Sequence, residues 1–559
     1  MTKKILGFLL LSSSFAFANG FKIQEQSLNG TALSSAYVAG ARGADASYYN
    51  PANMGFTNDW GENKSEFELA TSLITIPGFK FNVPTTNQGL YSETNLKFNS
   101  TIGGLINNPI IKGILSSLGD LAKPIKLYHT SPDQQVVPGS TGDTNFILPK
   151  LFYKSRTHNG FTFGASFIAP SGLAMNWVGK GGEFLQDVFI MMIEFAPSVS
   201  YTIGNRFSIG FAPRILYAMG SFNNVVYVPL DKNKTGISLD PSQIANLTND
   251  EVAGLIPESI KKQIGPILSN SFVSTIVPNL KIPGCTATNP IDCVNWTSLM
   301  SGVTSETTNL FGTAQVYQKS DGKALSAGYR VAASLRVFDN GMLSVVYNSP
   351  VKFNMQGNLS ATTYIGGAIG DVLTTGNLNI AVTMPEILTL AYAQNFFKNH
   401  LRVEGVYERT FWSRGSKFLV TPDFENATYK GLSGMVANTN VFNSDTLKGM
   451  VGLADFAGVM NMGAGWRDTN TYRLGVTYMG KSLRLMGSLA YDEAPSPQDK
   501  IGIPDSDGYM VGAGVKYNFR GFDLGLAYSV TFKDNRRSMY QSDGLGQLKI
   551  ATMSLGYRW

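Results

Sequence analysis

Charge is scarce in this chain of 559 residues: Asp, Glu, Lys and Arg together supply 15%. Mean hydropathy is −0.01, and soluble domains of neutral hydropathy ordinarily carry more charge. The net charge of +6 is spread along the chain with no basic run, so no nucleic-acid partner is expected. Histidine occurs three times, as His129, His158 and His400. His158 falls in a turn with no Ser/Asp constellation beside it, and no Gly-rich phosphate loop follows a strand. No catalytic residue and no cofactor are expected. Cysteine occurs twice, as Cys285 and Cys293. Without a nearby histidine the pair does not complete a zinc site, so no metal is expected. Beyond the first residues there is no apolar run of the roughly 20 needed for a spanning helix.

What is present points to export. Lys3 and Lys4 precede the apolar stretch Ile5 to Leu11, and Ala16-Phe17-Ala18 fits the small-x-small cleavage rule. Residues 1–18 therefore read as a signal peptide, with Asn19 as the mature N-terminus. In an exported chain the two cysteines, close together in a Pro/Asn-rich loop, suggest a disulfide. An exported chain without a spanning helix is periplasmic, secreted or an outer-membrane barrel. Glycine is abundant at 59, and aromatics reach 11%, with 34 Phe and 24 Tyr. That mix favours strands with one greasy and one polar face.

The chain divides into fourteen strand candidates: 65–83, 146–156, 160–169, 190–203, 206–223, 325–338, 341–360, 378–397, 400–420, 472–479, 482–492, 508–519, 522–533 and 547–559. Tight turns such as His158-Asn159-Gly160, Gly204-Asn205, Asp339-Asn340, Lys398-Asn399, Gly480-Lys481 and Arg520-Gly521 alternate with long connections. Short turns on one side and long loops on the other is the outer-membrane pattern, and an even strand number suits it. Insertions occupy about 85–142, 225–319 and 421–468. Within the first, Ile102 to Leu127 has helical spacing; within the second, Pro241 to Val277 does, so a helical subdomain is expected there.

Period-two alternation is the strongest physical signal. Phe522, Leu524, Leu526, Tyr528, Val530 and Phe532 share one face of a strand, and Asp523, Gly525, Ala527, Ser529 and Thr531 the other. A soluble sandwich would bury the apolar face; a barrel in lipid would expose it. Periodicity alone does not choose. The leader, the Tyr/Phe-rich strand ends and a last strand ending in Trp559 favour the barrel.

The segment Gly20 to Phe56 carries a family resemblance. It reads GF-x-hydrophobic-x-E, then a small-residue helix from Ala32 to Ala39, then G-x-x-D-A and Asn50-Pro51-Ala52. This resembles the hatch, or plug, of the FadL/TodX outer-membrane transporters of hydrophobic compounds. MPEILTLAYAQNFFKNHLRVEGVYERTFWS (384–413), DTNTYRLGVTY (468–478), Tyr491-Asp492-Glu493-Ala494-Pro495 and Ile503-Pro504-Asp505-Ser506-Asp507 resemble further elements of that family in the same order. The resemblance fails in the insertions near 85–142 and 225–319. It implies an all-β fold: a monomeric, 14-stranded antiparallel transmembrane β-barrel (61–559) closed by an N-terminal helical hatch (19–60). It further implies inward passage of fatty acids or aromatic hydrocarbons, hatch rearrangement, lateral exit into outer-membrane lipid, and assembly machinery that reads the C-terminal strand.

Ligand-binding candidates follow from strand parity. Arg214, Arg330, Arg336 and Lys352 alternate with apolar neighbours, and a cation facing the lumen suits a carboxylate. Tyr217 stands where the family has its pocket cation; no basic residue matches there, which favours an uncharged ligand or a cation moved to Arg214. Asn50 reads as a helix N-cap with Pro51 at the first helical position, and Asn50-Pro51-Ala52 as a hatch hinge. Pro170-Ser171-Gly172 should end the third strand's pairing, and Pro170 and Gly172 mark a candidate lateral opening. An adhesin acting through long loops, or a general porin, stand as alternatives.

Overall fold

The computed structural model describes residues 22–84, 91–96, 125–130, 136–178, 187–230, 248–255, 282–297, 312–364, 370–497, 505–534 and 547–559, apart from 59, 77, 79, 143, 283, 287–289, 416–417, 438, 440–441, 452, 454–459, 462 and 464. The leader, most of the helical expectation at 102–127 and most of that at 241–277 lie outside the described residues. Of the first, 125–127 opens a strand, Ile125–Thr130; of the second, Asn249–Leu255 is helix.

Fourteen staves form one closed antiparallel wall. They are β1 (Glu66–Ile76), β2 (Thr144–Lys154), β3 (Phe161–Val178), β4 (Asp187–Ile203), β5 (Phe207–Leu230) and β6 (Gly312–Phe338). Then come β7 (Gly341–Asn348, continuing as Val351–Tyr364) and β8 (Val372–Met384, continuing as Ile387–Phe396). The series ends with β9 (Leu401–Thr410), β10 (Thr469–Met479), β11 (Leu483–Asp492), β12 (Gly508–Phe519), β13 (Phe522–Lys533) and β14 (Gln547–Arg558). Closure comes from β1, which pairs β14 from Glu66↔Arg558 to Thr75↔Lys549 and β2 on its other edge. β5 and β6 run through 225–230 and 312–319, positions the sequence gives to an insertion.

Which face lies on the outside settles the question that periodicity left open. In β10, Tyr472, Leu474, Val476 and Tyr478 are exposed, whereas Thr469, Thr471, Arg473 and Thr477 are buried. The greasy face points out and the polar face in, as lipid demands. Aromatic rings edge the exposed band on both sides. Tyr329 with Tyr347, Tyr407 with Tyr472 and Tyr491 with Tyr509 sit toward the long loops. Phe161 with Tyr201, Phe522 with Tyr557 and Tyr557 with Trp559 sit toward the short turns. Positive φ at Asn159 and Gly160, Gly204 and Asn205, and Arg520 and Gly521 makes those turns tight.

One irregularity reverses a predicted orientation. From Arg330↔Asn348 to Lys323↔Gln356, β7 advances one residue more than β6. The extra residue lies at Ser349-Pro350, and a one-residue bulge swaps the faces of everything beyond it. Met342, Ser344 and Val346 point inward below the bulge; Val351, Phe353 and Met355 do so above it. Lys352 is therefore exposed on the outer face. β8 is interrupted opposite, at Pro385-Glu386. Proline has no N–H to leave unpaired at either interruption.

The N-terminal segment fills the lumen. Helix α1 (Leu28–Ala32) rests on β11–β14, and helix α2 (Ala46–Tyr49) leads into a 3-10 turn, Pro51–Gly55. Leu28, Ala32, Ala36, Ala39, Ala52 and Met54 are buried in one cluster with wall residues including Val346 and Ala391. The wall makes room with glycine. A Cβ on Gly210 would come within 2.3 Å of the Ala52 nitrogen, and one on Gly512 within 2.7 Å of the Ala32 carbonyl oxygen.

Candidate functional site: plug, cavity and wall break

The plug is held by polar contacts that the small-residue sequence needs, because its backbone turns inside the barrel with few regular partners. Glu404 on β9 accepts the N–H groups of Val38 (2.6 Å), Ala39 (2.6 Å) and Gly40 (3.0 Å). Arg402, on the same face, donates to the Gly40 carbonyl at 2.9 Å. Ser27 and Asn29 both donate to Asp45, at 2.7 and 2.8 Å, tying α1 to α2.

Asn50 occupies the position before the 3-10 turn, with Pro51 first in it, but its side chain makes no cap. Its amide donates instead to the Val38 carbonyl and to Ser334 on β6, both at 3.0 Å. Ser208 on β5 donates to the Ala52 carbonyl at 2.6 Å. Asn50, Pro51 and Ala52 thus moor the plug to β5 and β6; none of the three lines the cavity.

The first plug residues lie against β3. Ile23 N–H donates to the Pro170 carbonyl at 2.9 Å, and Gln26 Nε2 to the Ala169 carbonyl at 2.9 Å. Lys22 and Ser171 form a single bridge. These contacts meet a defect in the wall. β3 does not end at Pro170-Ser171-Gly172, as its sequence predicts, but continues to Val178. Its pairing with β4 slips between Ile168 and Ser171. Its pairing with β2 covers only Leu151↔Phe167 to Lys154↔Gly164. Above that, 168–176 of β3 has no strand pairing to β2 among the described residues. Pairing resumes at Thr141↔Trp177 with the short strand Val136–Thr141. Proline's missing donor allows the break, and the plug satisfies the carbonyls beside it.

A cavity of about 50 Å³ lies between this segment and the opposite wall. Pro170, Lys22, Arg214, Arg330 and Glu408 are among its lining residues. Glu194, fully buried on β4, pairs with both arginines: Arg214 Nε donates at 2.8 Å and Arg330 Nη2 at 3.2 Å. Arg330 Nε also donates to Asn348 Oδ1 at 2.7 Å, and its guanidinium lies 4.6 Å from the centre of the Tyr48 ring. Its Nη1 is buried with no partner. Lys22 Nζ donates to Glu408 Oε1 at 2.6 Å, and Arg473 approaches the other oxygen at 3.4 Å. Lys22 and Arg473 also lie near the buried acids Glu25 and Asp492, whereas Arg214 and Arg330 share the single carboxylate of Glu194. The positive excess beside the cavity therefore lies with the two arginines, where low dielectric strengthens charge interactions.

A model of the family described as outer membrane protein transport protein (OMPP1/FadL/TodX) matches residues 9–554. The chain belongs to this family. Its members are transport channels of the outer membrane, and the present chain is an outer-membrane transport barrel of the FadL/TodX type. Solved structures agree in fold at low identity. A Pseudomonas aeruginosa FadL homologue aligns with 96% of this chain and 99% of its own, with 16% identity and a TM-score of 0.55. The Pseudomonas putida toluene transporter TodX aligns with 95% and 99%, at 13% identity and 0.52. The CymD monoaromatic hydrocarbon channel aligns with 96% and 98%, at 14% and 0.50. A comparison with curated protein sequences finds no match.

In this FadL-type lumen the structure brings Arg214, Arg330 and Pro170 together and leaves other candidates out. Tyr217 is exposed on the lipid face, beside Ile215 and opposite in parity to Arg214. Lys352 points outward, for the reason given above. Arg336 sits below the cavity, 5.4 Å from the Phe56 ring. Gly172 follows the slipped register but does not line the cavity. Cys285 and Cys293 are bonded, with Cα atoms 5.5 Å apart, in the connection between β5 and β6. Sequence reasoning missed Lys22, Tyr48, Glu194, Glu404 and Glu408. Parity was the available signal for the acids: Glu194, Glu404 and Glu408 each share a face with small or polar neighbours.

Proposed function

We propose that the protein is a passive, ligand-gated channel for hydrophobic compounds, and that its preferred ligands carry a carboxylate, as long-chain fatty acids do. The observation that carries this reading is that one segment, Lys22 to Gln26, lies on both the cationic cavity and the break beside β3. A ligand carboxylate at Arg330 Nη1 and Lys22 would compete with Glu408 for the lysine. Freed from Glu408, the segment would leave Pro170 and Ser171, and the ligand would pass between β2 and β3 into the membrane. Pro170 and Gly172 would then flank the exit, with Arg214 and Arg330 as ligand-binding residues.

Size supports a gated rather than an open site. A dry cavity that takes benzene measures about 150 Å³, so a space of about 50 Å³ is too small for an aromatic ring or an acyl tail until the plug moves. The toluene and monoaromatic channels among the similar structures make neutral aromatics the competing ligand class. The two arginines that share one carboxylate, Glu194, favour the acid. In this reading residues 1–18 are removed on export, 19–60 form the plug, and 61–559 form the barrel with its insertions. The barrel works as a monomer, inserted through its C-terminal strand, and no catalytic step is involved.

Native mass spectrometry with lipid extraction, on protein purified in mild detergent, tests the class, and uptake of radiolabelled oleate against toluene tests the choice. A bound fatty acid with faster oleate uptake is expected. An empty barrel with steady ion conductance would overturn the reading in favour of a porin.

A further inference from the structure

Beyond the lower aromatic edge, the short turns carry an arrangement of charge that transport does not use. Six turns join the staves on that side. Arg156 lies in the β2–β3 turn, Arg206 in β4–β5, Lys398 in β8–β9, Lys481 in β10–β11 and Arg520 in β12–β13; the β6–β7 turn has Asp339 instead. All five cations are exposed. None of them is in an ion pair among the described residues. Lys64, on the same side, is paired with Glu62, and Arg558 with Glu62 and Asp523, so neither adds to the excess.

Three of the five adjoin the lower ring of aromatics in sequence. Arg206 precedes Phe207, Lys398 follows Phe397, and Arg520 follows Phe519, with its guanidinium 5.3 Å from that ring. Aromatic rings at a barrel edge sit at headgroup depth, so the cations reach just past it. Short turns and both chain ends lie on the periplasmic side of an outer-membrane barrel.

We infer that these five cations bind the anionic phospholipid headgroups of the periplasmic leaflet. The distribution decides between a lipid and a protein. A protein partner docks on one patch, whereas the cations are spaced around the circumference at one depth, which matches a leaflet that surrounds the barrel. A basic side chain near an anionic surface contributes about 1 kcal/mol, or about fivefold in preference for each site. The inference rests on the barrel's orientation and is independent of what the lumen carries.

The test places the protein in nanodiscs of mixed phosphatidylglycerol and phosphatidylethanolamine and counts the lipids retained on gentle release, by native mass spectrometry. About fivefold enrichment of phosphatidylglycerol is expected, falling as salt is raised. A variant with Arg156→Gln, Arg206→Gln, Lys398→Gln, Lys481→Gln and Arg520→Gln should lose the enrichment while keeping the heat-modifiable mobility of a folded barrel. A control with Lys319→Gln, Lys323→Gln and Lys352→Gln, outward lysines toward the long loops, should keep it. No enrichment in the wild type, enrichment that survives in the five-site variant, or equal loss in the control would each overturn the inference. Should the five-site variant fail to fold, Arg206→Gln with Lys481→Gln alone is expected to cut the enrichment by about half, and an unchanged value would overturn it.

Discussion

Lys22 Nζ lies 2.6 Å from Glu408 Oε1, and both side chains are almost wholly buried. The pair joins the first described residue of the plug to the barrel wall across 386 positions of sequence. Breaking a buried ion pair by removing one partner costs about 3–5 kcal/mol, because the other charge stays buried. Here Arg473 remains on Glu408, so the cost should be at the low end or less. Lys22→Met is expected to loosen the plug without unfolding the barrel. Brief openings in single-channel recordings should become about tenfold more frequent, which corresponds to roughly 1.4 kcal/mol. A closed-state record identical to the wild type would mean that the pair does not latch the plug.

Arg330 offers a cleaner view of ligand choice. Glu194 keeps two contacts to Arg214, at 2.8 Å from Nε and 2.7 Å from Nη2, when Arg330 is removed. Arg330→Gln should therefore fold. It should weaken oleate binding about tenfold, the range for loss of a charge-assisted hydrogen bond, and leave toluene uptake unchanged. Equal loss for both ligands would point to collapse of the cavity rather than loss of a carboxylate partner.

The break beside β3 predicts a separation of folding from transport. Pro170→Val restores one N–H donor, and both it and Gly172→Val raise strand propensity, where β3 has no strand pairing to β2 among the described residues. Uptake of any hydrophobic ligand should fall more than tenfold while heat-modifiable mobility on gels stays that of the wild type. Unchanged uptake would remove the break from the path.

The barrel was legible in the sequence because a strand in lipid writes its two faces alternately and its short turns carry turn residues; the fourteen staves follow from that. Parity also placed Arg214 and Arg330 in the lumen. The same parity puts Tyr217 on the face of Ile215, in lipid; matching it to the family's pocket position overrode the better local signal. Lys352 failed for a different reason. A single added residue at Ser349-Pro350 reverses every side chain beyond it, and nothing in the alternating pattern locates the reversal. The plug was legible as a segment but its moorings were not. Asn50 has the acceptor oxygen of a helix cap, but that oxygen is buried without a partner among the described residues, and its N–H₂ donates instead to Val38 and Ser334. Contacts such as Glu404 with Val38 join positions hundreds of residues apart, and only closure of the barrel brings them together.

That Glu404 contact carries the last prediction. One carboxylate takes three consecutive backbone N–H groups, from Val38, Ala39 and Gly40, at 2.6, 2.6 and 3.0 Å. An ionised acceptor suits such a nest because it can serve all three donors, and hydrogen bonds to a charged group are worth about 1.5–3 kcal/mol. Glu404→Gln keeps the shape but brings an amide N–H₂ toward donors, so at least one of the three N–H groups loses its partner. Arg402 remains on the Gly40 carbonyl and keeps the turn from leaving altogether. Local opening of the plug at 36–42 should become about tenfold to a hundredfold more frequent, while the strands of β9 and β10 stay protected. Hydrogen exchange followed by mass spectrometry reads both regions in one experiment. Faster exchange confined to the plug peptide is the expected result. Exchange that rises equally in β9 would mean that Glu404 supports the wall, and an unchanged plug would mean that the three N–H groups find water as readily as they find the carboxylate.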